Sequence, residues 1–146
     1  MSEQGLMAKT VVKCAVMAKL DKTATLDKTL SGRGIGLEGL KPTYERGIEE
    51  QDGYYAGIRE QFDNMKATGE LEFSVRLVPN TTFFLGKEGQ FLVVQIAIGL
   101  PDDSVIVDSK YFSQIKMCTP EEESKGGFRI PVSTVLCDDP IITVGG

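Results

Sequence analysis

Residues 70–78 read Glu-Leu-Glu-Phe-Ser-Val-Arg-Leu-Val and alternate between polar and apolar side chains. A period of two over this length is typical of a strand with one buried face and one wet face, whereas helical spacing would scatter the same apolar residues around the axis. The apolar set is Leu71, Phe73, Val75 and Leu77, and the wet set is Glu70, Glu72, Ser74 and Arg76. The chain is therefore expected to be organised around a sheet.

Five further segments carry strand patterns and are joined mostly by short turns. They are Thr10–Leu20, Gln90–Ile98, Val105–Cys118, Phe128–Cys137 and Ile141–Val144. Gln90–Ile98 is apolar at nearly every position, which predicts a strand covered on both faces. Short connections favour antiparallel pairing. The predicted fold class is mainly β, an antiparallel sandwich or small barrel with one α-helix and long extended loops.

The helix is predicted at Tyr54–Lys66, where apolar residues recur at helical spacing. Thr81–Leu85 is expected to form a short helical turn. Gly32–Gly53 is rich in glycine and is interpreted as a long loop ordered against a partner. Residues 1–9 are expected to be a flexible end, and residues 1–146 a single domain.

The formal net charge of −5 and the absence of histidine exclude several function classes. An acidic surface repels nucleic acid, and a chain without histidine has no Ser-His-Asp or Cys-His arrangement. Three widely spaced cysteines, Cys14, Cys118 and Cys137, favour buried free thiols, although a disulfide between subunits stays open. With no apolar run long enough to cross a membrane and no secretory signal at its start, the protein is expected in a cytoplasm.

No motif predicts catalysis, a cofactor or a metal. Gly34–Gly39 matches G-x-G-x-x-G, but Pro42 follows closely and no βαβ unit surrounds it, so a glycine loop is the preferred interpretation. The acidic clusters lack the spacing of a calcium loop and are interpreted as solvated turns. These clusters are Glu49–Glu50, Asp102–Asp103, Glu121–Glu123 and Asp138–Asp139. The sequence therefore predicts that the protein is not an enzyme.

The order of these elements resembles that of the tail tube proteins of long-tailed bacteriophages; a contractile tail is the preferred expectation, and a non-contractile tail stays open. The resemblance covers most of the chain. It includes Ser113–Thr119, the acidic loop Pro120–Gly127 and the strand beginning at Phe128, which look like the C-terminal strand pair of that family.

The resemblance implies a β-sandwich whose strands join across subunits into hexameric rings, which stack into a tube that conducts DNA into the host. Its implied partners are copies of itself, tail sheath and baseplate proteins, and DNA passing through the lumen without specific binding, with no membrane. The implied location is the virion tail, assembled in the host cytoplasm. The candidates for the lumen are Glu70, Glu72, Ser74 and Arg76, and those for an inter-subunit loop are Gly32, Gly34, Gly36, Gly39 and Pro42.

Other interpretations stay open. The wet face of residues 70–76 meets solvent or a neighbouring subunit as readily as a lumen. The chain is alternatively another virion component, such as a tail terminator, baseplate or capsid-decorating protein. A third alternative is a small-molecule-binding β-barrel or an enzyme.

Overall fold

The computed structural model of this protein describes residues 9–45, 68–100, 102 and 104–145. That part of the chain contains nine strands and one short 3-10 helix at Pro79–Phe84. In chain order the strands are β1 (Lys9–Met17), β2 (Lys28–Thr29), β3 (Glu38–Glu45), β4 (Thr68–Arg76), β5 (Phe91–Gly99), β6 (Val105–Met117), β7 (Glu121–Glu122), β8 (Phe128–Leu136) and β9 (Ile141–Val144). The prediction of a mainly β fold is confirmed.

All nine strands belong to one antiparallel sheet. Its main order is β2-β1-β5-β6-β8-β4-β3, and β7 pairs with β8 at the side of this path. β6 is long enough to pair with two strands along one side. Its N-terminal part pairs with β9 at Val107–Lys110, and its C-terminal part pairs with β8 from Ser113 onwards. Beyond the reach of β8, the sheet therefore continues as the four strands β1-β5-β6-β9.

The hydrophobic core lies inside the curl of this sheet. Val12 of β1 and Leu71 and Phe73 of β4 belong to one buried cluster, although three strands separate β1 from β4 in the sheet. The sheet must therefore curl until its two halves face each other, which is the form that the predicted sandwich or barrel takes here. The 3-10 helix covers the core with Phe84, whose ring centroid lies 5.8 Å from that of Phe73.

The predicted alternation of β4 is confirmed. Leu71, Phe73 and Val75 are buried, whereas Glu70 and Glu72 on the opposite face are exposed. The same holds for β8, where Ile130, Val132, Thr134 and Leu136 are buried, although Phe128 at its start is exposed. A local period of two was sufficient to assign both faces.

β5 is covered on both faces at its centre, as its continuous apolar sequence predicts. Leu92 and Val94 enter the main core, while Val93 is buried on the outer face. There Val93 lies in register with Phe112 of β6. The ammonium group of Lys22 lies 5.3 Å from the centroid of the Phe112 ring and helps to cover this second, smaller apolar cluster.

The structure differs from the sequence prediction in the glycine-rich segment. Residues 38–45, expected to be part of a loop, form β3 and pair with β4. The short strands β2 and β7 were also not predicted, and β7 lies within the expected charged loop. The expected turn at Thr81–Leu85 is present as the 3-10 helix. The predicted helix at Tyr54–Lys66 lies outside the described residues.

Candidate assembly surfaces

The four residues predicted to line a lumen lie together on the outer face of β4. Glu70, Glu72 and Arg76 are exposed and Ser74 is half-buried. β3 and β8 flank β4 on its two sides, so their outward residues extend the same face; Glu72, for example, lies between Lys41 and Ser133. The structure therefore places these four side chains on one continuous, solvent-facing surface.

Acidic and basic groups are mixed on this face. The Nζ atom of Lys116 lies 3.6 Å from Oε1 of Glu70, and both side chains are about half exposed. Arg129 lies 3.7 Å from a carboxylate oxygen of Glu38 and 3.7 Å from one of Glu123. Because ion pairs in water contribute little to stability, these pairs mainly balance the charge of the face. The surface is hydrated and mixed in sign rather than uniformly acidic.

Arg129 has a structural role beyond these pairs. Its side chain is only 15% exposed. Its Nε donates to Oγ of Ser74 at 3.1 Å, and its Nη2 donates to the backbone carbonyl of Gly36. The residue thus joins β8 to β4 and to the turn before β3. This role was not predictable from the sequence, because a wet-face arginine on an alternating strand has the same local pattern as any solvated arginine.

The predicted inter-subunit loop residues are folded against their own chain over the described range. Ile35, between Gly34 and Gly36, is buried, and its carbonyl accepts a hydrogen bond from the Arg76 amide at 2.8 Å. Gly36 has a φ of +63°, and a Cβ atom there would lie 2.9 Å from Cγ of Arg76. Glycine is therefore required for close packing at this position.

The remaining candidates of that set, Gly32, Gly39 and Pro42, are also in described segments. Gly32 lies in an exposed turn, and Gly39 and Pro42 belong to β3. Among these residues, the exposed turn at Gly32–Gly34 is the part accessible to a neighbouring subunit. Contact with another subunit stays a prediction.

The outer edge of β3 is blocked for further strand pairing. The Leu77 amide donates to the carbonyl of Phe128, on the β8 side, whereas the Arg76 amide donates to the carbonyl of Ile35, on the β3 side. Since the backbone groups of a strand alternate in direction, the even-numbered residues of β4 direct their amides and carbonyls towards β3. Lys41 and Thr43 lie opposite even-numbered residues of β4, so their backbone groups bond to β4. The backbone of Pro42, between them, therefore faces away from the sheet. Proline there removes an outward donor without losing a ladder bond.

The outer edge of β9 has no partner among the described strands. β9 is exposed at every residue, with Ile141 53%, Ile142 46% and Val144 75% exposed, and among the described strands it pairs with β6 alone. The Gly145 amide donates to the Ile106 carbonyl at 2.9 Å. By alternation, the amides of Ile141 and Thr143 also face β6, and those of Ile142 and Val144 face away from the sheet.

Apolar side chains surround this open edge. Ile98, Val107 and Val144 lie in register across β5, β6 and β9. Val105 beside them is 46% exposed. We call β9 together with Ile98, Val105 and Val107 the β9 surface. The strand was predicted from the sequence, but no role was predicted for it; the available signal was a strand without a charged residue.

A separate cleft of about 550 Å³ lies between the turn that follows β2 and the 3-10 helix. Its lining includes Lys28, Arg33, Asn80 and Phe83, and the ammonium group of Lys28 lies 5.4 Å from the centroid of the Phe83 ring. Within the described ranges, no cluster of three metal-ligating side chains is present, here or elsewhere. The cleft is a place where a small molecule can bind, and its lining also includes the carboxylate of Asp27 and the hydroxyl groups of Thr29 and Thr82.

The three cysteines are free thiols; Cys14 and Cys118 are buried and Cys137 is half-buried. Burial, assisted by the negative charge of Asp27, raises the pKa of Cys14 to about 12. Burial also raises the pKa of Cys118, whose Sγ donates to the Phe84 carbonyl at 2.9 Å. Both groups are neutral thiols packed in the fold rather than nucleophiles.

No helix in the described part of the chain is long and apolar enough to span a bilayer. Comparison with known proteins finds no matching family model, no matching curated protein and no matching solved structure.

Proposed function

We propose that this protein is a structural subunit of a bacteriophage tail tube, which assembles with copies of itself into stacked hexameric rings. The observation that carries the proposal is the β9 surface. A strand edge with exposed apolar side chains is a hazard for a protein that stays monomeric, and an advantage for one that must add copies of itself. The mainly β fold and the order of its strands are consistent with this role.

The outer face of β4 is the proposed lining of the lumen. Glu70, Glu72, Ser74 and Arg76 are exposed or half-buried there and are surrounded by charges of both signs. A basic lining would hold the DNA phosphates, whereas a hydrated lining of mixed sign within an acidic protein lets the DNA slide. Sheath and baseplate proteins would then contact other surfaces of the ring, within a virion tail assembled in the host cytoplasm.

Electron microscopy of the purified protein, together with its mass in solution over a range of concentrations, tests the proposal. Rings or hollow tubes with six-fold symmetry are expected. A ring that never stacks would instead favour a tail terminator, baseplate or decoration protein. A monomer at every concentration, including after addition of a nucleating baseplate, would contradict the proposal. It would instead favour a small-molecule-binding protein that uses the cleft beside Phe83.

The lumen assignment has its own test. In assembled tubes, Glu72→Lys should increase retention of short DNA, and the retained fraction should fall as salt concentration rises. Glu122→Lys is the matched control, because Glu122 is exposed but lies opposite Phe128, on the other face of β8 from Arg129. Equal DNA retention by the two variants, or an atomic model of the tube with Glu70 and Glu72 away from the channel, would contradict the assignment.

A further inference from the structure

We propose that the cleft between the turn after β2 and the 3-10 helix binds a small phosphomonoester. Lys28 and Arg33 hold the phosphate group, and a flat ring attached to it packs beside Phe83. The site lies within one chain, so it is independent of the proposed assembly. The inference depends on the charge of the cleft lining, on the availability of its donors and on the way its two walls are fixed.

The cleft is positively charged although the chain is acidic. Its lining contains the two cations Lys28 and Arg33 and one carboxylate, that of Asp27, which gives a formal charge of +1, whereas the whole chain carries −5. A phosphomonoester carries a charge of about −1.5 to −2 near pH 7. The two cations therefore match the charge of such a ligand.

The donors of the cleft are available to a ligand. Neither Lys28 nor Arg33 forms an ion pair with a carboxylate of the described residues, whereas Arg129 pairs with two. The side chain of Asn80, which also lines the cleft, has no hydrogen-bond partner in the same part of the chain. A guanidinium group offers parallel N–H donors to two phosphate oxygens, and an ammonium and an amide add further donors. A phosphate can therefore bind here without breaking a described hydrogen bond of these side chains.

An apolar part of the lining lies next to the cations. Phe83 is half-buried, and the ammonium group of Lys28 lies 5.4 Å from the centroid of its ring. A phosphate held by Lys28 therefore brings its organic group close to Phe83, and Ile35 and Pro79 line the same cleft. A flat aromatic ring suits this place, because aromatic rings pack favourably in offset or edge-to-face contact. The volume of about 550 Å³ is in the range of small-molecule sites.

The wall formed by the turn after β2 is fixed by backbone contacts. The Leu30 amide donates to the Val12 carbonyl at 2.8 Å, and the Val12 amide donates to Oγ of Ser31 at 3.1 Å. Leu30 and Ile35 of this wall are buried in the core. The chain that carries Lys28 and Arg33 is therefore anchored at both ends of the turn.

The opposite wall, the 3-10 helix, is anchored by Thr81. This residue is buried, and its Oγ1 donates to the Arg76 carbonyl at 2.6 Å and accepts from the Val78 amide at 3.0 Å. Thr82 donates to the Pro79 carbonyl at 3.1 Å. With both walls fixed, binding orders little of the backbone, which favours affinity.

Phenyl phosphate is the probe, because it contains only the two groups that the inference names. Binding is measured by amide chemical shifts in NMR on the full-length, unassembled protein. We expect a dissociation constant on the order of 1 mM or below, increasing with salt concentration, and shifts centred on Gly32, Arg33 and Phe83. Inorganic phosphate should bind at least threefold more weakly, and Phe83→Leu should reduce this difference between the two probes.

Charge variants test the cations of the cleft. Lys28→Met and Arg33→Met should each weaken binding of phenyl phosphate at least fivefold. Asp27→Asn should strengthen it at least twofold, a gain that a folding defect cannot produce. Lys125→Met is the matched control, because it removes the same charge from an exposed residue outside the cleft lining. Circular dichroism and thermal unfolding establish that each variant is folded.

The inference is overturned if phenyl phosphate shows no saturable binding or shifts amides away from the cleft. Equal weakening by Lys125→Met and Arg33→Met would also overturn it, since only the total charge would then matter. Equal binding of phenyl phosphate and inorganic phosphate would contradict the contact with Phe83. None of these results affects the proposed function, which is tested by assembly, and a chain that binds phenyl phosphate but never assembles would contradict the proposed function alone.

Discussion

The edge strands β3 and β9 have opposite designs. β3 presents Pro42 outwards, its register shifts between Glu38 and Lys41, and Arg129 connects Glu38 to the body of the sheet. β9 has no proline, no charge and no register shift, and its apolar side chains are exposed. Natural sheets protect edges that must not pair. Among the described strands, β3 therefore ends the sheet, whereas β9 leaves an edge to which a further strand can be added.

The largest expected effect is a loss in the free energy of unfolding, and it should follow from a change in the core beside β4 rather than from a change in β9. Phe84→Ala removes a fully buried ring that packs on Phe73, and we expect a loss of about 3–5 kcal/mol in the free energy of unfolding. Val144→Ala at the 75% exposed end of β9 should change it by less than about 0.5 kcal/mol. Denaturant titration measures both. Equal losses would mean that β9 is as important to the monomer as the core is.

The next effect concerns the residue that holds the blocked edge in place. Arg129→Met should cost about 1–3 kcal/mol, because it leaves the Gly36 carbonyl and Ser74 without their donor. Lys116→Met, which removes only the exposed pair with Glu70, should cost less than about 0.5 kcal/mol. Hydrogen exchange should show faster opening of the Arg76 amide in the Arg129 variant alone. An unchanged stability would contradict the role assigned to Arg129.

A third edge, β1, is covered at its centre, where Cys14 pairs with Lys28 of β2. The folded pKa of Cys14, about 12, is above the ordinary value of 9.0 for a cysteine thiol, so the unfolded chain loses this proton first and stability falls as pH rises from 9 towards 12. At pH 10 the loss from this group is about 1.4 kcal/mol. Below pH 9 the thiol of Cys14 is protonated in both the folded and the unfolded chain, so its effect on the free energy of unfolding does not change with pH.

Denaturant titration at pH 8 and pH 10 checks this prediction. Cys14→Ala should reduce the difference in the free energy of unfolding between the two pH values. An identical pH dependence in wild type and Cys14→Ala would show that the thiol does not stay buried, and that β2 covers β1 only loosely.

The smallest effect on stability tests the comparison most directly. Pro42→Val gives β3 an outward donor and should cost at most about 1 kcal/mol, chiefly through greater entropy of the unfolded chain. If Pro42 protects this edge, the variant should form additional, irregular aggregates, visible by electron microscopy and light scattering. Regular assemblies identical to those of the wild type would mean that β3 is protected by other means.

Much of the sheet could be predicted from local patterns. The faces of β4 follow from strict alternation, and β9 has the same bounds in the structure, Ile141–Val144, as in the prediction. The exposed position of Glu70 and Glu72 was predictable for the same reason. In each case neighbouring residues of one strand carry the full signal, because a strand reverses its side chains at every residue.

The missed elements depend on contacts that are distant in sequence. β3 contains Gly39 and Pro42 and has the composition of a loop, yet it is a strand because β4 offers it an open row of backbone groups. β2 and β7 are two residues long, too short for any period. Arg129 became important only when the fold placed Gly36, 93 residues away along the chain, beside it.

The order of adjacent side chains is sufficient to predict the mainly β fold, the buried and wet faces of β4 and β8, and the uncharged character of β9. Which edges of the described sheet are closed and which is open follows only from the three-dimensional fold. That distinction depends on the direction of individual backbone amides and on the strand that pairs with each edge, and local periodicity contains neither.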